Sequence, residues 1–142
     1  PNWWAKWQNW LSATVFALGV VPNHAVTLEV VGRKSGKTIS FPLVMALVDG
    51  ERYLVSMLGA DANWVRNLEA TGGRATLRHG QREEVLLTEV APALRAPILK
   101  SYLQRAPGAR PHIPVNKDAP LSEFEAVAAS FPAFRITPLA HS

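Results

Sequence analysis

The chain has 142 residues, 48% of them hydrophobic, a formal net charge of +4 and no cysteine. Such a length and apolar content specify one domain with a real core, and the missing cysteines exclude disulfides and thiolate metal sites. The four histidines (His24, His79, His112, His141) lack the i, i+3 or i, i+4 spacing of a zinc site, and the mild positive charge favours a small anionic ligand over a nucleic-acid groove, for which no long basic stripe exists.

Residues 1–22 place Trp3, Trp7, Trp10 and Leu11 at helical spacing, with Trp4 beside them and Lys6, Gln8, Asn9 and Ser12 elsewhere, which predicts an amphipathic helix. Its apolar part, 11–21, is short of the roughly 20 residues that span a bilayer. Packing across a barrel is the favoured use of the indoles, and interfacial membrane contact is the second reading. The expected location is cytoplasmic, with peripheral membrane association as the alternative.

Strands are predicted over 26–31, 38–48 and 51–57, the last two joined by the hairpin signal Asp49-Gly50. Asp61 is placed to cap a helix running to about 68, which stops near Gly72-Gly73. A hairpin over 75–79 and 84–90 turns around Gly80. A helix over 96–105 keeps Pro97 in its first turn, and a proline-rich crossing over 106–120 has the length of a functional loop. Ser122 is placed to cap a helix to 130, and 134–137 is the last strand. Five or six strands arriving as hairpins, with short helices between, predict one mainly β, α+β domain over 1–142: an antiparallel barrel with helices on its outside.

The turn between the first two strands reads Gly32-Arg33-Lys34-Ser35-Gly36-Lys37. It is not a Walker loop, which needs four residues between its glycines and a helix after them. Here three residues separate Gly32 from Gly36, and Thr38-Ile39-Ser40-Phe41-Pro42 continues as a strand. A solvated hairpin turn is the alternative to an anion-binding one.

Taken with Gly59, Trp64 and Asn67 in "SMLGADANWVRNL", and with the later "RPHIPV" and "FPAFRITP" blocks, the GRKSG turn resembles the deazaflavin-dependent nitroreductase family of actinobacteria, whose members use reduced coenzyme F420 on a split β-barrel of the flavin-reductase type. The resemblance runs from about 28 to 137. It implies that Gly32, Arg33, Lys34, Ser35, Gly36 and Lys37 hold the phosphate and acidic tail of F420, arginine bidentately and lysine as a point charge. It further implies that Phe41, Pro42 and Leu43 lie beside the deazaflavin ring, that the loop Met57, Leu58, Gly59 contacts the phosphate, and that Trp64 and Asn67 face the cofactor from one helix. The sequence departs from relatives at Ile39 and Met57, where many carry a basic residue. For Trp64 the competing reading is helix-to-barrel packing, and for Asn67 a buried hydrogen-bonding role.

The reaction so implied is hydride transfer to an electron-poor, hydrophobic small molecule: a quinone, an activated alkene or a nitroaromatic. Ser56 is the first expectation for the catalytic hydroxyl that polarises the acceptor, with Tyr102 and His112 behind it. FMN is the alternative cofactor, set second because it lacks the acidic tail. The remaining alternative is an F420- or fatty-acid-binding protein of the same fold without fast turnover. A monomer or weak dimer is expected.

Overall fold

A computed structural model describes residues 25–106, 109 and 111–139. The helix expected over 1–22, with Trp3, Trp4, Trp7 and Trp10, lies outside the described residues. Seven strands form one antiparallel sheet: β1 (Ala25–Val31), β2 (Thr38–Val44), β3 (Ala46–Val48), β4 (Glu51–Val55), β5 (Arg74–Arg78), β6 (Arg82–Glu89) and β7 (Ala133–Pro138). The order across the sheet is β2-β1-β5-β6-β7-β4-β3. Its two ends, β2 and β3, are consecutive in the chain and separated by Met45 alone, so the sheet curls back on itself into a split barrel. Among the described residues the helices are α1 (Asn63–Ala70), α2 (Ala96–Arg105) and α3 (Leu121–Val127), with short 3-10 turns at Pro92–Leu94 and Ala128–Ser130.

Alternation along the strands fills the barrel. Val26, Leu28 and Val30 of β1 point inward, as do Phe41 and Leu43 of β2, Leu77 of β5, Val85 and Leu87 of β6, and Phe134 and Ile136 of β7. Cross-strand register puts Leu28 opposite Phe41 on one side and Leu77 on the other. Trp64, Val65 and Leu68, on one face of α1, close this core. A second core lies outside the β3–β4 corner, where Ile98, Leu99, Tyr102 and Leu103 of α2 and Phe124 of α3 cover Val44, Ala46 and Val55. Both faces of the chain around Met45 are therefore covered: Leu43 and Met45 belong to the inner core, Val44 and Ala46 to the outer. That accounts for the unbroken apolar run there, since a strand buried on both sides loses its polar alternation.

Several sequence expectations shift. The strand expected over 38–48 is two, because the barrel corner falls at Met45. The capping residues differ as well. Helix α1 begins after Ala62 and α3 after Pro120, neither with a side-chain cap bond, so Asp61 and Ser122 do not cap them. The Asp49-Gly50 turn has positive φ at both residues, 51° and 81°, the signature of the two-residue hairpin its sequence demands. The part of the expected crossing over 111–120 packs against α2: Ile113 is buried in the outer core, and Lys100 Nζ donates to the Ala119 carbonyl at 2.8 Å.

Candidate functional site

The turn between β1 and β2 is locked by its own backbone. Gly32 N–H donates to the Lys37 carbonyl at 2.8 Å and Gly36 N–H to the Gly32 carbonyl at 2.9 Å. The two glycines serve different needs. Gly36 holds φ at +71° with open space around it, whereas a Cβ on Gly32 would stand 2.8 Å from Ile39 Cδ1 and 2.9 Å from Ser35 Oγ. The Ser35 oxygen accepts from Lys37 N–H at 3.2 Å, which leaves its own proton to donate elsewhere.

Beneath the turn opens a cavity of about 460 Å³, lined by Val30, Gly32, Arg33, Lys34, Ser35, Ile39, Phe41, Asn63, Trp64 and Asn67. That volume falls within the range of about 300–1,000 Å³ usual for small-molecule sites. Its floor is apolar, from Val30 and Ile39 to the rings of Phe41 and Trp64. The Trp64 indole is 4% exposed. It meets Phe134 edge-on at 5.6 Å between centroids and Phe41 at 6.3 Å, tilted by 36°. The indole thus serves as core and wall together. One rim is cationic. Arg33 is clamped by Asn67, whose Oδ1 accepts from the Arg33 backbone N–H at 3.1 Å and from Nη1 at 2.7 Å. Lys34 is exposed. Among the described residues, no carboxylate lies within ion-pair distance of Arg33, Lys34 or Lys37.

Seven of the residues expected from the sequence meet at this cavity: Gly32, Arg33, Lys34, Ser35, Phe41, Trp64 and Asn67. The others are not among its lining residues. Gly36 and Lys37 sit at the solvent side of the turn. Pro42 falls on the outward parity of β2, and Leu43 is absorbed into the core deeper along the barrel. Ser56, expected as the catalytic hydroxyl, is not among the lining residues either. It is 0% exposed, and its hydroxyl donates to the Gly59 carbonyl at 2.6 Å while its N–H donates to Pro132 O at 2.9 Å. Its hydroxyl proton is committed to folding the 56–59 loop. Met57 is buried in the outer core and Leu58 is 49% exposed. Gly59 faces the Ser130 carbonyl. Tyr102 and His112 do not reach the cavity either. Tyr102 is enclosed under α2, where burial pushes its hydroxyl above the usual tyrosine range, and His112 is exposed on the crossing loop. Val30, Ile39 and Asn63 were not anticipated. Parity with Leu28 and Phe41 marks the first two, and Asn63 stands one helical turn before Asn67.

Elsewhere four arginines, Arg52, Arg78, Arg82 and Arg95, stand beside carboxylates. Arg52 donates to both Glu83 oxygens, at 2.8 and 2.9 Å. That bond holds the Glu83 carboxyl below and the Arg52 guanidinium above their ordinary values, burial opposing both. Arg95, nearly buried, binds Glu89 at 2.7 Å and the carbonyls of Val90 and Ala128. Arg78 and Arg82 flank Glu29 at 3.5 and 3.6 Å. Among the described residues no group of three or more His, Asp or Glu is placed to hold a metal ion, and no helix is long and apolar enough to cross a membrane.

The split antiparallel barrel, with an apolar cavity under a cationic hairpin, has the fold of the solved F420 reductases. Within that fold the chain belongs to the F420H(2)-dependent quinone reductase family, whose profile matches residues 10–113. It is an oxidoreductase family, and coenzyme F420 is its cofactor. No curated protein sequence matches the chain. Similar solved structures include the conserved hypothetical protein Rv2991 from Mycobacterium tuberculosis, with a TM-score of 0.60 and 18% identity over 88% of this chain and 79% of that one. An F420-H2 dependent reductase matches at TM-score 0.51 and 20% identity, covering 83% of this chain and 97% of the other. An F420 reductase matches at 0.56 and 13%, covering 84% and 90%.

The residues at the cavity fit F420. Its aromatic floor suits a planar ring, and Arg33 and Lys34, without a carboxylate partner among the described residues, suit the phosphodiester and glutamyl carboxylates that extend from it.

Proposed function

We propose that the chain uses the cavity beneath the β1–β2 turn to hold reduced F420 and reduces a small, apolar quinone beside it. One observation carries this reading: the apolar aromatic floor runs directly into a cationic rim that has no carboxylate counter-charge among the described residues. When bound, reduced F420 supplies a hydride from carbon 5 of its deazaflavin ring. The protein contributes orientation and electrostatics. Arg33 and Lys34 attract and anchor the anionic extension, and Ser35 adds a hydroxyl donor. Phe41 and Trp64 flank the ring and keep water from that side. The acceptor must then approach from the open mouth, so a flat apolar molecule is favoured over a charged one. Ser56 and Tyr102 are buried away from the cavity, and the proton that completes reduction comes from solvent at the mouth. Ile39 extends the apolar wall where relatives often carry a cation, which leaves the anionic extension dependent on the turn.

The test is a pair of fluorescence titrations with F420 and FMN, followed by steady-state reduction of menadione. Binding of F420 in preference to FMN, with quinone reduction, is the expected result. Arg33→Ala combined with Lys34→Ala should weaken F420 binding by about 1–3 kcal/mol, and added salt should weaken it in the intact protein. A titration indifferent to both changes refutes the cationic rim as the anchor.

A further inference from the structure

The clamp on Arg33 is built from an amide, where Arg52, Arg78, Arg82 and Arg95 stand beside acids and Arg105 donates to the Ser101 hydroxyl. Asn67 is 3% exposed and sits on α1, 34 positions along the chain from Arg33. Its Oδ1 takes two bonds from that residue, one from the backbone and one from the guanidinium, so one atom both ties the self-locked turn to α1 and sets the direction of the side chain. Arg52, Arg78, Arg82 and Arg95 are instead held beside Glu83, Glu29 and Glu89. A carboxylate fixes a guanidinium firmly but cancels its charge. An amide oxygen fixes it and leaves the charge whole.

We propose that Asn67 is a positioning and specificity residue: it aims Arg33 at the cavity through an uncharged acceptor, so that the guanidinium keeps its full charge for an anionic group of the ligand. Both bonds end on Oδ1, so the Nδ2 amide takes no part in the clamp, and Asn67 is itself among the residues that line the cavity. Both side chains carry N–H donors at this edge of the cavity, charged on Arg33 and neutral on Asn67. Aspartate at this position would keep the clamp and lose both properties. It would neutralise Arg33, replace two donors by acceptors, and repel an anion. This inference rests on the reading of the cavity as an F420 site.

The experiment compares F420 binding by the intact chain and by its Asn67→Asp and Asn67→Ser variants, each titrated by fluorescence over a series of salt concentrations. Asn67→Asp should bind about tenfold more weakly or worse, with a flatter salt dependence because one cation has been cancelled. Asn67→Ser, which shortens the clamp without adding charge, should weaken binding less and keep the slope of the unaltered protein. Thermal melts of the unbound variants separate this effect from unfolding, and Asn67→Ser keeps the comparison open if the aspartate variant does not fold. Equal losses and equal slopes in the two variants would show that Asn67 merely supports the turn, overturning the inference while leaving F420 binding intact. Failure of the unaltered protein to bind F420 overturns the functional reading and this inference with it.

Discussion

Trp64 connects the core to the cavity, and its removal separates the two roles. The indole is 4% exposed, packed between Phe41 and Phe134, and forms one wall of the cavity. Truncating a buried tryptophan to alanine costs about 3–5 kcal/mol, part of it the void left behind. Each aromatic pair adds about 0.5–1.5 kcal/mol, which argues for the upper end. The void, however, would merge with the existing 460 Å³ cavity, so water can enter it and the void contributes less. Trp64→Ala is therefore expected to destabilise by about 3 kcal/mol, a fall in Tm of about 10 °C for a domain of this size. Trp64→Phe, which keeps a ring against both neighbours, should cost about 1–2 kcal/mol. Urea denaturation followed by far-UV circular dichroism measures both without relying on the lost indole. In the same samples F420 affinity should fall sharply for Trp64→Ala and only a few-fold for Trp64→Phe. A loss below about 1 kcal/mol for Trp64→Ala would contradict the packing. The full stability loss with unchanged F420 affinity would show that the wall does not meet the cofactor.

Ser56→Ala should lower stability by about 1–2 kcal/mol through the lost bond to Gly59 and leave quinone turnover within a few-fold. A hundredfold fall in kcat at unchanged stability would restore the hydroxyl as a donor to the acceptor. Gly73→Ala places a Cβ 2.5 Å from the Leu87 carbonyl at φ +90°, while Gly72→Ala at φ +69° meets nothing within 4 Å. The first should cost well over 2 kcal/mol and the second about 1, and equal costs in urea melts would refute the clash. The Glu83 carboxyl is held low by Arg52. Its contribution to stability is thus present above the ordinary carboxylate range, about pH 4.3, and is lost as pH falls through the lower folded value. The stability gap between the natural chain and Glu83→Gln should be open at pH 7 and close on acidification, and a gap that does not change with pH would refute the pairing.

The strands and hairpin turns were legible because each carries a local signal: period-two alternation along β1 and β6, Asp49-Gly50, Gly80. The break of the second strand at Met45 was not. The run Leu43-Val44-Met45-Ala46 is apolar on both parities, and only tertiary covering by α2 decides that a corner falls within it. The cavity was half legible. Residues joined by the basic turn and by one helix face, Arg33 and Lys34 with Trp64 and Asn67, do meet there. The 56–59 loop does not, because the sequence carries no sign that Ser56 closes its own loop or that Met57 turns under α2. Ser56 ends a strand and looks available. Burial, a property of the whole fold, makes it a brace.

The same distinction explains why the site sits where it does. A guanidinium on a six-residue turn has many rotamers to lose, and a ligand that had to order it would bind correspondingly less well. Here that ordering is done during folding, by an amide on a helix whose neighbouring face, Trp64, Val65 and Leu68, closes the barrel. Asn67 is carried by the element that completes the core, so Arg33 is aimed only when the core is complete. Weakening α1 should therefore loosen the anion end of the site before it opens the aromatic floor, because the floor is also held by β1 and β2, while the clamp has one anchor.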